Sequence, residues 1–465
     1  MTKEHTLTNV NHTDSSPDVV KKPEPSMTHG NIGKILLLFS IPLILGNLLQ
    51  QMYNAVDSII VGNYVGSQAL AAVGSSTAII YLLIAFSQGI AVGAGVLVSQ
   101  AVGAHRTDAT ENTVHTSLVI AVLLGLFLSV VGFLFTPQIL MLMKTPSDVM
   151  GESVTYLRFF SLGLIFNVIY NMEAGILNAV GNSKRSLLYL GIASVTNIFL
   201  DLFFIRTLNF GVMGAAIATD ISQALSCVLA LHFLMHTNEH YQVHLERLRL
   251  NKDTAVQIIK VGLPTGIQNM VISLSNVLVQ SSINVFGSTT MAGYGAYMKI
   301  DGFNILPILS LSLASTTFTG QNFGAGKIDR IKRGMRTTLL MVLIYTAFIG
   351  ATLLFFSQAV MGLFTTDKQV IAAGIQAMRH FCPFYFLLGI LQALCGTIRG
   401  TGKTVPPMII LLISMCLFRI LWIQLIFPHF NTIDSIYSLY PVSWAFGVIL
   451  CLVYMWRSDW LKLPV

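Results

Sequence analysis

Residues 65–74 read Val65-Gly66-Ser67-Gln68-Ala69-Leu70-Ala71-Ala72-Val73-Gly74, and residues 286–295 read Phe286-Gly287-Ser288-Thr289-Thr290-Met291-Ala292-Gly293-Tyr294-Gly295. They align at an offset of 221, and the register continues on both sides. Gln100, Gly103, Ala104 and Asp108 match Gln321, Gly324, Ala325 and Asp329; Arg158 and Phe160 match Arg379 and Phe381; Gly175 and Gly181 match Gly396 and Gly402. Upstream, Pro42, Asn47 and Asn54 match Pro264, Asn269 and Asn276 at an offset of 222. One register held without a gap over most of a half-chain marks an internal duplication.

What is duplicated follows from composition. The chain of 465 residues is 54% hydrophobic and 10% charged, whereas a water-soluble domain carries about 25% charged residues. Soluble enzymes, nucleic-acid modules and disordered proteins are poor fits. Twelve apolar segments lie at about 35–61, 68–98, 114–136, 153–180, 187–206, 212–235, 262–285, 292–318, 337–357, 374–398, 406–427 and 437–456. Most run about 20 residues, enough for a helix to cross a bilayer. Only helices and closed barrels satisfy their backbone in lipid, and barrel strands would be about 10 residues of alternating pattern. The expectation is an all-α polytopic membrane protein with twelve transmembrane helices in two six-helix lobes. An even number of spans per copy leaves the lobes parallel, related by an axis along the membrane normal.

The division expected is a disordered tail at 1–30, an N-lobe with helices 1–6 at 31–236, a linker at 237–260, a C-lobe with helices 7–12 at 261–456, and a second tail at 457–465. No signal-peptide core precedes the first helix. With both termini inside, 20 of the 27 Lys and Arg fall on inner segments, 3 on outer loops, and Arg158, Lys299, Arg379 and Arg419 within spans. Such a bias orients a membrane protein with cytoplasmic termini, so the net charge of +7 reads as topology rather than nucleic-acid binding. The expected location is the cell (inner or plasma) membrane. All five cysteines fall in spans and read as apolar packing residues.

Polar groups within spans are costly and point to function. Asn47, Gln50, Asn54 and Asp57 share one face of the first helix, since their spacings are 3, 4 and 3. Asn197 and Asp201 stand one turn apart on the fifth helix, with Thr219 and Asp220 early on the sixth. All lie in the outer half of the N-lobe. Crowded, buried carboxyls can exchange protons near neutral pH, and carboxylate, amide and hydroxyl oxygens can hold a hard cation. A polar network that only locks helices together is the structural alternative.

The second copy replaces Asp57 by Val279, Asn197 by Phe418 and Asp201 by Trp422, keeping an uncharged stripe of Asn269, Ser273, Asn276 and Gln280. Ion coupling should therefore be asymmetric. Glu173, near Asn167, Tyr170 and Asn171, is a second proton site or an internal salt-bridge partner. Lys299 and Asp301 do not face each other and read as interfacial anchors.

Three signals are weaker. Gly396 to Thr404 looks like a phosphate loop but has Thr397 where the pattern requires Gly, and it follows a membrane helix rather than a strand. It reads as a basic turn. His232, His236, His240 and His244 recur every four residues, a spacing able to bind zinc, yet Thr237 and Asn238 should break the helix. No metal site is expected. Gly89, Gly93 and Gly95 suit close helix packing.

The stretches NLLQQMYNAVDSIIVG and ALAAVG between Pro42 and Gly74, GQNFGAG at Gly320–Gly326 and GTIRGTGK at Gly396–Lys403 resemble the multidrug and toxin extrusion (MATE) transporters. The resemblance covers about residues 33 to 456. It implies alternating access and export of cationic or amphipathic organic compounds in exchange for H+ or Na+. It also implies that Asp57, Asn197, Asp201 and Thr219 form the coupling-ion site and that Pro42 marks a bending helix. Gln50, Tyr53, Asn54 and Asn171 are expected at the substrate cavity, with Tyr53 and Asn171 carried by the resemblance. A major branch of that family has a glutamate on the seventh helix and an aspartate on the tenth. Here Ile272 stands in the expected region of the seventh and the tenth has no acid, so the sequence looks closer to the DinF-like branch.

The resulting expectation is an antiporter, not an enzyme. It needs no cofactor beyond the coupling ion and no ATP, and it works as a monomer among membrane lipid. A lipid-linked saccharide flippase, a membrane metalloenzyme using the histidine run and a nontransporting assembly protein are the rival readings.

Overall fold

The computed structural model describes residues 27–463. Twelve long helical segments account for nearly all of them. They are α1 (Ile32–Tyr64), α2 (Ser67–Gly103), α3 (Thr107–Leu142), α4 (Ser147–Ala179), α5 (Ser183–Thr207) and α6 (Gly211–His236), then α7 (Lys252–Asn284), α8 (Ser288–Gly324), α9 (Ile328–Phe355), α10 (Lys368–Gly400), α11 (Val405–Phe430) and α12 (Ile433–Arg457). Eleven are long and apolar enough to cross a membrane; α7, with its uncharged polar stripe and a charged first turn, is the exception by composition. No strand occurs among the described residues.

The duplication is visible in the backbone. Gly66 and Gly287 both take positive φ, at 123° and 93°, in the turns that start α2 and α8. Gly181 and Gly402 do so at 94° and 85° after α4 and α10. Only glycine adopts such angles without steric cost, so these positions hold the register of the repeat. The backbone widens into a π-helical turn at Leu202–Thr207 of α5 and again at Trp422–Ile426 of α11, at repeat-equivalent places. Such turns recur at functional sites.

One hydrophobic core is built almost entirely from α1–α6 and a second from α7–α12. Glycine lets the two halves meet. Gly89 on α2 lies against Gly266 on α7, and Gly93 against Gly262; a Cβ on either α2 glycine would fall onto the α7 backbone. Gly103 sits on the Gln321 carbonyl and Gly324 on the Gln100 carbonyl, so α2 and α8 cross backbone to backbone. The Gln321 amide donates to the Ala179 carbonyl at 2.8 Å, and the repeat-equivalent Gln100 amide donates to the Gly400 carbonyl at 2.9 Å. These contacts seal the end of the bundle where α1 begins and α12 ends.

Three boundaries differ from the sequence reading. Met27–Gly30 were expected in the disordered tail but are packed. Met27 is 2% exposed, and its N–H donates to Gln321 Oε1 at 2.9 Å. Arg330 donates to the carbonyls of Met27, His29 and Gly30. The rest of that tail lies outside the described residues. The segment expected as a linker at 237–260 is docked on α3 through Arg247–Glu111 at 3.0 Å and the His244 N–H on His115 Nε2 at 3.0 Å. Helix α7 begins at Lys252, inside that linker, with Asn251 accepting the Thr254 N–H as its cap. The apolar run begins ten residues later because this first stretch is polar.

Candidate functional site

A cavity of about 2310 Å³ lies between the halves. Its walls come from α1–α6 on one side and α7, α8, α10, α11 and α12 on the other. It reaches the far rim at Gly62, Asn63, Leu142, Met143 and Phe364, and its floor is near Ser99, Thr316 and Arg399. It therefore opens at the end opposite the termini and stops at the α2–α8 crossing.

The polar face of α1 looks into this space. Pro42, Asn47, Gln50, Tyr53, Asn54 and Asp57 all line it. Asn47 Nδ2 donates to Ser310 Oγ on α8 at 3.0 Å, across the two halves. Pro42 lies inside α1; lacking an N–H, it leaves the carbonyl one turn earlier without its helical partner. Asn171 lines the opposite part of the same lobe and donates to Asn167 Oδ1 at 2.8 Å.

Asp57 is 8% exposed and stands at the boundary between cavity and core. Behind it, Asp201 is fully buried and its carboxyl faces that of Asp57 at hydrogen-bonding range. Two carboxyls so placed can bond only if one carries a proton, or they can share a cation. Asn197, 1% exposed, donates its amide to Thr219 Oγ1 at 3.4 Å, and Tyr53 and Gln223 complete a narrow crevice beside them. Asp57 Oδ1, both Asp201 oxygens and Asn197 Oδ1 are buried and accept from no N–H or hydroxyl donor. Among the described residues no Lys, Arg or His pairs with this cluster. An orphaned buried acceptor is costly, so four together make a site shaped for a proton or a small cation. Asp220, expected beside them, packs instead against Gly163 on α4.

Glu173 is fully buried, and neither of its oxygens meets a basic group; its neighbour is the Cys227 thiol on α6. The salt-bridge alternative is therefore overturned, because among the described residues no Lys, Arg or His pairs with Glu173. The histidine run also separates. His232 and His236 share α6, whereas His240 and His244 lie beyond its end and His244 stacks on His115 at 6.3 Å. No group of three or more metal-ligating side chains occurs among the described residues. The Gly396–Lys403 stretch is the end of α10 and a turn, not a strand-to-helix loop.

The sequence reading missed the C-lobe wall. Lys299, Asp301, Arg399 and Arg419 line the cavity, while Arg158 and Arg379 do not. Asp301 is no interfacial anchor, because α8 carries it into the wall, where Tyr297 and Tyr385 donate to its Oδ1. Arg419 is 1% exposed. Its guanidinium donates to Asn276 Oδ1 at 2.9 Å and Ser443 Oγ at 3.3 Å and lies 4.4 Å from the centre of the Tyr440 ring. The signal was present as tyrosines at 294, 297, 385 and 440, but residues so distant in sequence give no face to read.

The family model described as MatE matches residues 42–203 and 264–423, once in each copy. The probable multidrug resistance protein YoeA of Bacillus subtilis is 29% identical over 443 residues, covering 93% of this chain and 94% of that protein. The multidrug export protein MepA of Staphylococcus aureus is 21% identical, covering 89% of each. Among solved structures, a MOP superfamily transporter from Pyrococcus furiosus matches with a TM-score of 0.88 at 24% identity, over 95% of this chain and 99% of that one. The outward-facing conformation of a multidrug resistance MATE family transporter matches with a TM-score of 0.86 at 23% identity, over 94% and 97%. At these identities the structural likeness bears on the fold alone.

Proposed function

The chain belongs to the MatE family, and from that membership and the N-lobe site we propose that it is a secondary active multidrug efflux antiporter. It exports cationic or amphipathic organic compounds in exchange for H+ or Na+ across the cell membrane, with both termini in the cytoplasm. The observation that carries the reading is the convergence of unpartnered oxygens at Asp57, Asn197 and Asp201, at the edge of a cavity open at one end only. Curated relatives named for multidrug resistance and export support the substrate class.

With the termini in the cytoplasm, the cavity faces outward and the cytoplasmic end is the sealed one. A proton or sodium ion arriving from outside reaches Asp57 first, then the buried Asp201, with Asn197 and Thr219 as polar support. Neutralising this pair removes the cost of burying its charge, so ion binding favours whichever lobe arrangement buries the site best. A ligand drives such an equilibrium only through different affinities for the two states. The interrupted hydrogen-bond ladder at Pro42 gives α1 a place to bend as the site fills and empties. Substrate is released from the cavity as the ion binds.

The test is efflux of a fluorescent organic cation from proteoliposomes under separately imposed pH and sodium gradients. One gradient should drive efflux by the parent protein, and Asp57→Asn should abolish gradient-driven efflux while expressing and folding normally. Parent-level exchange by a well-folded Asp57→Asn variant would sink the assignment.

A further inference from the structure

We infer that Asp301 forms a second ligand-binding site of this protein, an organic-cation anchor in the C-lobe wall of the cavity. This inference rests on the transport reading above.

The site is built around one carboxyl. The Tyr385 hydroxyl donates to Asp301 Oδ1 at 2.5 Å, the Tyr297 hydroxyl reaches the same oxygen at 3.4 Å, and the two hydroxyls lie 2.6 Å apart. Both tyrosines are 1% exposed, so the carboxyl is held from behind by groups that cannot swing away. Both bonds go to Oδ1, leaving Oδ2 without a protein partner on a residue that lines the cavity.

Three basic side chains share this wall, and none neutralises Asp301; Arg399 donates to the Cys395 carbonyl and Ser312 Oγ. Lys299 is two positions away on α8 and also lines the cavity, but it makes no ion pair with Asp301. Arg419 is committed to Asn276, Ser443 and the face of Tyr440. No ion pair to Asp301 exists among the described residues. An acid kept within a membrane span without a counter-ion points to a mobile one.

The surroundings say which kind of cation. Tyr297, Phe381, Tyr440 and Trp444 line the same part of the cavity. Their rings pack on one another, with Phe381 5.1 Å from Tyr297 and 4.8 Å from Tyr440. A free carboxylate oxygen set in an aromatic wall recognises a hydrophobic or aromatic organic cation, through charge and ring electrostatics together. A small hydrated ion would find the carboxylate and two tyrosine hydroxyls that already bond to it and to each other. The N-lobe cluster differs in grouping several carboxyl and amide oxygens that receive no hydrogen bond. The duplicated lobes thus divide the work, with the coupling ion on one wall and the charged head of the substrate on the other.

A bland alternative is a polar clasp that only ties α8 to α10. Isothermal titration with tetraphenylphosphonium, and with tetraphenylborate as an anion of the same size and shape, separates the two. Asp301→Asn keeps the acceptor oxygen for Tyr385 but loses the charge. It should weaken tetraphenylphosphonium binding by about tenfold or more and leave tetraphenylborate binding unchanged or tighter. Tyr385→Phe loosens the clasp but keeps the charge, and should retain the preference for the cation. Tetraphenylphosphonium affinity within about twofold of the parent in a folded Asp301→Asn protein would overturn the proposal. So would equal loss of both probes.

Asp57→Asn serves as the separate control. It should bind tetraphenylphosphonium through Asp301 yet fail to exchange it under a gradient. Failure of the N-lobe coupling assignment would therefore leave the Asp301 result readable.

Discussion

At the scale of single residues, this protein tolerates ionisable groups in its interior by two different routes. Arg419 is fully tied into its surroundings, whereas Asp57 and Asp201 are left open. On the proposed mechanism, the difference separates structural from working charges. Arg419 uses a planar fork and a ring face, which an ammonium cannot reproduce. Arg419→Lys should therefore lower stability by about 1–3 kcal/mol, read as a lower unfolding temperature in detergent, while transport by the folded fraction persists. Asp57→Asn should do the opposite, losing exchange with little change in stability. Asp57, Asn197, Asp201 and Thr219 were legible in the sequence because helical spacing places polar residues on a face. Asp301 was misread, since a position on one helix says nothing about the tyrosines brought to it from another.

At the scale of helices, small residues decide how close two segments can come. The α2–α8 crossing uses Gly103 and Gly324 as a symmetric pair, each under the other helix's carbonyl. A backbone carbonyl cannot move aside as a flexible side chain can. Gly103→Val should cost about 1–3 kcal/mol of the sealed arrangement. The readout is labelling of a cysteine introduced at the cavity floor, which should become reactive to a membrane-impermeant thiol reagent added at the sealed end. Unchanged labelling in the variant would mean the crossing is not the seal. The glycine run at 89, 93 and 95 already suggested close packing, but not its partner. Gly262 and Gly266 belong to α7, whose polar first turns kept the start of that helix out of the apolar segments.

At the scale of the whole molecule, the duplication produces a seal with twofold character. Gln100 donates to Gly400 and Gln321 to Ala179, so each half holds the end of the other's helix. Either Gln→Ala change should remove about 0.5–1.5 kcal/mol from the sealed state. Gln321→Ala should have the larger effect, because Gln321 also receives the Met27 N–H. Hydrogen exchange at Ala179 to Asn182 and at Gly400 to Lys403 measures both. Equal protection in parent and variants would show that the amides are not part of the seal. The rest of the molecule is less symmetric, because one copy retained an acidic cluster and the other acquired an aromatic wall.

What the sequence determined by itself was the architecture and the polar cluster of the N-lobe. Long apolar runs admit only helices in lipid, a repeat of even span number makes the halves parallel, and a stripe of polar residues on one helix must face something other than lipid. Each follows from local spacing and hydration cost alone. The tertiary structure decided which end of the cavity is closed, which acids stand without partners, and which wall carries aromatic rings around a carboxylate. Those outcomes depend on contacts between residues one or two hundred positions apart, as with Asp301 and Tyr385 or Gln100 and Gly400, and no periodicity along the chain encodes which distant group will fill a given space.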